Sequence, residues 1–431
     1  MSLVDLQETK FGEDAQVLVA DLFRHQAGKI VAALVRVFGA RYLDLAEDVV
    51  QDALIKALQQ WPFKGIPENP AGWLTLVARN RALDILRRES SLLHKKADLE
   101  LALSQSNKTV APGESQMDDQ LALILMCSHP ALALECRIAL TLKTACGFST
   151  AEISRAFLTP ETTIAQRLVR AKRQIRELGI VIEPPTEDDL GKRLESVLRV
   201  IYLVFNEGYG AARGDDLVRS DLCGEAIRLG SLLQQHRKLQ LPTVHALLAL
   251  MLLQAARLPA RTQNDGTLAV LERQDRSLWD KPMISAGLRH FGWSAAGNTL
   301  TAYHLQAEIA AIHATSATDS ETDWAGIVAR YEQLYQLEPT PVVALNGAIA
   351  RSRWLGPEAG LASLKEISSH PALRNYHLLP AVSAELWKQS GDFARAAEAY
   401  RAALVCECTE PERRFLESQL KTVLREQSEG L

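Results

Sequence analysis

The residues best suited to chemistry lie in Gly72 to Ser91, GWLTLVARNRALDILRRESS. Arg79, Asn80, Arg81, Arg87 and Arg88 face outward if this segment is a helix, and Trp73, Leu76, Val77, Ala82, Leu83 and Leu86 recur at the spacing of an inward face. Guanidinium and amide groups on one face can hold a phosphate backbone and reach bases. Such chemistry is recognition; no bond is made or broken. A solvated basic face would carry the same residues, so the flanking segments decide.

A second set lies in Ser149 to Arg173. Ser149 or Thr150 can cap a short helix with Glu152 in its first turn. Leu158-Thr-Pro160 makes a turn, and Thr159 or Glu161 opens a second helix. Ile164, Leu168 and Ala171 point inward there, while Thr163, Gln166, Arg167, Arg170, Lys172 and Arg173 point outward. This is a helix-turn-helix with a basic, amide-bearing second helix, suited to a DNA groove. Between the two basic sets and the N-terminus, Arg41 to Trp61 carries an acidic face of Asp44, Glu47, Asp48 and Asp52, which suits a basic protein partner.

Asn206-Glu207-Gly208-Tyr209 sets an amide, a carboxylate and a phenol at the end of an apolar helix. A buried polar anchor or a ligand pocket is one reading; a helix ending at Gly208 is the other. Glu207 as a general base beside Tyr209 or His245 lacks a nucleophile or metal ligands at recognised spacing. Glu272, Asp275 and Arg276, near Trp279, are expected to form internal salt bridges. The six cysteines are scattered, with no CxxC pair and no zinc-ligand pattern, so no metal and no cofactor is expected.

The elements that position these groups are almost all helical. Apolar positions from Glu13 to Phe38, from Arg41 to Trp61 and from Asp119 to Gly179 recur at helical spacing, and strand-like alternation is scarce. Pro62 to Pro70 reads as a turn, with Asn69 as cap and Pro70 as the first residue of the basic helix. Ser104 to Asp119 and Ile182 to Asp189 read as linkers. From Leu190 onward the chain is alanine- and leucine-rich helix. Ala384 to Leu404 fits a tetratricopeptide (TPR) helix pair, with Gly391 at the turn and Ala396 and Ala403 at the crossing; Pro341 to Ile367, centred on Gly356, is a weaker copy. Net charge is −4 over 431 residues, so any DNA-binding charge is local. No secretory signal is visible, and the most apolar segment, Ala246 to Ala256, is too short to span a bilayer. A cytoplasmic protein without membrane attachment is expected.

Residues 13 to 179 resemble a bacterial sigma-70 family factor of the extracytoplasmic-function (ECF) type. Asp44 to Leu54 (DLAEDVVQDAL) resembles the segment that docks on the β′ clamp helices of RNA polymerase, with Asp44, Asp48, Gln51 and Asp52 on its acidic and amide positions. Trp73 to Arg88 resembles the part that melts and reads the promoter minus-ten element, and Arg137 to Arg173 the domain that reads the minus-thirty-five element. Ser128 to Leu132 and Tyr202 to Tyr209 resemble the ECF subgroup with a long TPR-like C-terminal extension. So do Asp221 to Arg228, Leu271 to Trp279 and Thr322 to Trp324.

The resemblance implies an all-α protein in three parts: residues 1–103 as region 2, 119–180 as region 4 after a linker at 104–118, and 186–431 as a TPR-like domain. It implies a non-enzymatic factor that partners core RNA polymerase, through the β′ clamp helices and the β subunit, and promoter DNA. Trp73, Arg79, Asn80, Arg81, Arg87 and Arg88 would meet the minus-ten element. Thr163, Gln166, Arg167, Arg170, Lys172 and Arg173 would meet the minus-thirty-five element. The C-terminal domain would modulate activity, with Asn206, Glu207 and Tyr209 as regulatory candidates and a protein or ligand as partner. A free-standing helix-turn-helix repressor would need a dimer and palindromic sites. An enzyme built on 186–431 would show turnover that Glu207→Gln removes.

Overall fold

In the computed structural model, helices account for every regular element of the described residues: 26–93, 119–157, 159–180, 187–210, 217–237, 239–263 and 265–429. One isolated antiparallel bridge joins Thr262 to Leu268. The expected N-terminal half of the first helix and the linker at 104–118 fall outside these residues. The chain divides into two units, Met1–Val200 and Ile201–Leu431.

The first unit begins with α1 (residues 26–38), α2 (Leu43–Lys64) and α3 (Pro70–Leu93). Ala53 and Ala57 of α2 and Ala78 and Ala82 of α3 are all buried; with no side chain beyond Cβ, they allow close helix approach. Asn69 caps α3 as expected, its Oδ1 accepting from the Gly72 N–H at 2.9 Å. Two local readings differ. Helix α2 runs through Pro62 and ends only at Gly65, φ 81°, whose N–H donates to the Trp61 carbonyl. A proline so near a helix end removes little of the backbone ladder. The inward face of α3 is Leu74, Ala78, Ala82, Leu83 and Leu86, while Leu76 is 56% exposed. The stripe passes through small Ala78, which an apolar count weights less than Leu76.

Four helices follow: α4 (Asp119–Cys127), α5 (Leu134–Thr144), α6 (Thr150–Phe157) and α7 (Glu161–Leu178). Ser149 and Glu152 cap α6 reciprocally: the Ser149 N–H donates to Glu152 Oε2 at 2.8 Å, and the Glu152 N–H to Ser149 Oγ at 3.1 Å. Ile164, Leu168, Ala171 and Ile175 form the buried stripe of α7, and Gly179, φ 61°, ends it. Helix α8 (Glu187–Tyr209) belongs to both units, its residues through Val200 to the first. Arg193, 6% exposed, donates from Nη1 to the Leu125 carbonyl of α4 at 3.2 Å.

The second unit continues with α9 (Ser220–Gln235), α10 (Pro242–Ala255), α11 (Lys281–Ser294), α12 (Ala302–Thr315) and α13 (Trp324–Leu337). Pro242–Ala260 spans 19 residues and is long and apolar enough to cross a membrane, longer than the sequence reading allowed. Here it is a core element instead. Leu250 and Leu253 of α10 pack with Ile284 of α11 and Ala307 of α12.

Two helical hairpins match the expected TPR-like repeats. The pair α14 (Pro341–Leu355) and α15 (Pro357–Ile367) turns at Gly356, φ 97°. After α16 (Leu378–Gln389), Gly391 at φ 80° turns the chain into α17 (Phe393–Val405), where Ala396, Tyr400 and Ala403 are buried. Helix α18 (Glu410–Glu429) closes the chain.

Two histidines should make this unit acid-sensitive. Burial, with Arg257 and Arg276 nearby, pushes His313 down to about 3; burial, with His245 and Arg289, pushes His290 down to about 4. In the unfolded chain both titrate near 6.5. Between these values the unfolded state holds more protons, so stability falls as pH drops below about 6.5 and levels off beneath the folded values. Urea midpoints at pH 7 and pH 5 should differ, and His313→Gln with His290→Gln should narrow that gap. An unchanged gap would remove the two histidines as its cause.

Candidate nucleic-acid interface

The basic face of α3 is presented outward. Asn80, Arg81, Arg87 and Arg88 are exposed and Arg79 is half-buried. Arg81 Nε lies 3.4 Å from Asp52 Oδ2, a surface pair between α3 and α2. At the start of α3, Trp73 meets buried Trp61 edge-on, with ring centroids 5.4 Å apart. Phe63 is 86% exposed, and Leu76 is open as well. Exposed Phe63 offers a flat surface of the kind that unstacked bases use. Leu76 was missed at the sequence level because apolar residues were assigned to the core.

The second basic set lies on α7. Gln166, Arg170 and Arg173 are exposed, and Thr163, Arg167 and Lys172 are half-buried. Lys172 does not point into solvent. Its Nζ lies 2.5 Å from Glu47 Oε2 and 3.0 Å from Asp44 Oδ1, both on α2. Burial pulls this ammonium down, but Glu47 and Asp44 outweigh it and hold it above the ordinary lysine value.

On the acidic helix, Asp48, Gln51 and Asp52 are exposed, whereas Asp44 is paired with Lys172 and Arg176. Partial burial, with Asp44, Glu47 and Asp52 crowding it, raises the Asp48 carboxyl above its ordinary value despite Lys172.

Residues 22–92 match the family Sigma-70 region 2, and residues 122–175 match Sigma-70, region 4. The chain belongs to the sigma-70 family. Its two regions are of the ECF type and precede a long C-terminal extension, of which residues 193–295 match a family of unknown function, DUF6596. A protein of Rhizobium meliloti (strain 1021), described only as uncharacterized, is 39% identical over 398 residues, covering 90% of this chain and 92% of its own. No solved structure matches. Regions 2 and 4 make the protein a sigma factor of transcription initiation. Members of this family are DNA-binding regulators rather than enzymes.

In the extension of this sigma factor, α8 runs through Gly208 to Tyr209, so Gly208 is not a helix end. It is a close-approach site: a Cβ there would fall 2.7 Å from the Cys223 nitrogen and 2.9 Å from the Arg219 carbonyl oxygen. Glu207 is 5% exposed and forms an ion pair with Arg219, while Asn206 is exposed. Tyr209 Oη accepts from Arg257 Nη2 at 3.0 Å, and the Arg261 guanidinium lies 3.9 Å over the ring. Burial raises the Tyr209 phenol, but the two arginines outweigh it and hold it below its ordinary value. The polar-anchor reading of this motif therefore has its donors; sequence spacing alone did not reveal Arg219, Arg257 and Arg261.

The expected salt bridges at 272–279 form only in part. Glu272 pairs with Arg353, whereas Asp275 caps the Ser277 N–H at 2.9 Å and Arg276 stacks on Trp279. His245 meets His290, with Nδ1 atoms 2.9 Å apart, and not Glu207. Among the described residues, no three His, Cys, Asp or Glu side chains gather as metal ligands.

Proposed function

We propose that this sigma factor binds core RNA polymerase through Asp44, Asp48, Gln51 and Asp52. In this reading Trp73, Arg79, Asn80, Arg81, Arg87 and Arg88 open and read the minus-ten element. Thr163, Gln166, Arg167, Arg170, Lys172 and Arg173 read the minus-thirty-five element. The observation that carries the proposal is α7: a buried Ile164–Leu168–Ala171–Ile175 stripe behind exposed Gln166, Arg170 and Arg173, as the second helix of a helix-turn-helix. Run-off transcription with core polymerase, screened over the organism's promoters, tests it.

Arg167→Ala and Arg170→Ala should each weaken binding of the holoenzyme to all promoters and lower the salt slope by about one. Gln166→Ala should instead relax choice at one position. Unchanged promoter binding and salt dependence in both arginine variants would remove α7 from the groove.

The extension is proposed to control the first two regions, with Asn206, Glu207 and Tyr209 ordering the end of α8. The Arg193–Leu125 hydrogen bond supports this, because it joins α8 to region 4 directly. Truncation after Gly179 should alter run-off activity in a system of core polymerase and promoter alone. Equal activity of truncated and intact factor would favour a module that recruits another protein through its concave face.

A further inference from the structure

A cavity of about 280 Å³ lies within the second unit, bounded by α14, α16, α17 and α18 and by the segment 268–273. Its walls are largely apolar: Leu268 and Leu271 of the segment line it together with Ile349 of α14, Val382 of α16, and Phe415 and Leu416 of α18. The segment is tied down at both ends, since Leu268 bridges to Thr262 and Glu272 pairs with Arg353 of α14. An apolar concavity near 300 Å³ with a few polar groups has the size and lining of a small-molecule site, and a folded protein cannot enter it.

The polar groups set the kind of molecule. Glu272, Asp319, Glu385 and Glu412 line the cavity, against the guanidiniums of Arg273 and Arg353. Arg353 holds two of these carboxylates, Glu272 and Asp319. Glu412 caps the start of α18, its Oε2 accepting from the Thr409 N–H and from Thr409 Oγ1, both at 2.8 Å. Glu385 of α16 differs from these three. Its Oε2 accepts from Tyr400 Oη at 2.9 Å and its Oε1 from Gln389 Nε2 at 3.2 Å, and both donors are neutral. Lys388 Nζ is 3.7 Å from Oε2 and donates instead to Gln419 Oε1 at 2.9 Å. Arg273 is exposed, so water screens its charge. Burial and the Glu385 charge push the Tyr400 phenol up, which keeps it a proton donor to Glu385. Glu385 is therefore oriented by neutral groups and only loosely paired with a cation.

We propose that this cavity binds a small apolar amine, its ammonium on Glu385 and its apolar body between the segment 268–273 and helices α16 and α18. The ammonium gives Glu385 a charge-assisted hydrogen bond, and the apolar body leaves water for an apolar lining. An anion of the same shape meets a lining of four carboxylates against two guanidiniums and is repelled. An alcohol of the same shape gains the apolar contacts without the charge. The assignment is independent of whether the extension controls regions 2 and 4, because binding is read directly.

The test is titration calorimetry on the full chain at neutral pH with phenylbutylamine and hexylamine, each beside the alcohol and the carboxylate of the same length. At least one amine should bind with a Kd below about 1 mM, and its carboxylate counterpart about tenfold more weakly or worse. Glu385→Gln keeps an acceptor for Tyr400 and removes the charge. It should weaken the amine about tenfold and leave the alcohol within about twofold of wild type. Ala381→Phe, on the same wall of α16, fills the cavity and should weaken amine and alcohol alike. Melting temperatures of both unliganded variants show that each is folded, and Glu385→Gln decides alone if Ala381→Phe is not. Absence of binding by both amines overturns the site. Equal or tighter binding of the carboxylates overturns the choice of an amine. Amine binding that Glu385→Gln leaves unchanged removes Glu385 as the anchor, and binding that folded Ala381→Phe leaves unchanged places it outside this cavity; either overturns the proposal.

Discussion

Joint replacement of Asp48 and Asp52 by lysine should lower affinity for core polymerase at least about 100-fold, with run-off transcription falling in step. Opposed like charges across an interface cost several kcal/mol, and about 1.4 kcal/mol is tenfold in affinity. Both side chains are exposed, so the fold itself should tolerate the change. The surface contact from Asp52 to Arg81 is lost, at 3.4 Å, and exposed pairs of that kind are worth about 0–1 kcal/mol. Asp44 is a poorer choice for this experiment, because its ion pairs with Lys172 and Arg176 would be broken as well. A melting temperature within a few degrees of wild type, measured beside the pull-down, separates lost binding from lost folding. Normal retention of core polymerase by the double lysine variant would remove α2 from the interface.

The helices were legible because their signals are local. Asn69-Pro70 opens α3, Ser149 and Glu152 cap α6, and Gly356 and Gly391 turn the two hairpins, each through contacts a few residues apart. What escaped depends on neighbours distant in the chain. Leu76 reads as core because it is apolar, but Ala78 takes its place on the buried ridge. Gly208 reads as a helix end, yet its need for glycine comes from Arg219 and Cys223 on the facing segment. Lys172 reads as a DNA contact; that it also faces Glu47, 125 residues away, is not encoded in any spacing. The Arg193–Leu125 bond escaped for the same reason, since it joins residues 68 apart.

Replacing Glu207 by alanine should strongly destabilise the C-terminal half. Glu207 is 5% exposed and its partner Arg219 is itself largely buried. Removing one member of a buried ion pair leaves the other charge desolvated without this countercharge, at about 3–5 kcal/mol. For a unit of this size each kcal/mol moves the melting temperature by about 2–4 °C, so a fall on the order of 10 °C is expected. The loss is sharpened by the surrounding geometry. Arg219 donates its own N–H to the Gly208 carbonyl at 2.8 Å, so the guanidinium and backbone of one residue both hold the end of α8 against the start of α9. Glu207→Ala combined with Arg219→Ala should cost less than the sum of the two single changes, and the difference measures the coupling of the pair. Gly208→Ala should destabilise by a different route, through backbone contacts below 3 Å that the double variant cannot relieve. If Glu207 served only a ligand, its removal would leave the melting temperature of the free protein nearly unchanged. A shift below about 2 °C for Glu207→Ala would therefore discard the anchor and leave the ligand reading of Asn206 to Tyr209 standing. A full shift, with run-off activity altered in the same variant, would tie the end of α8 to control of the sigma regions.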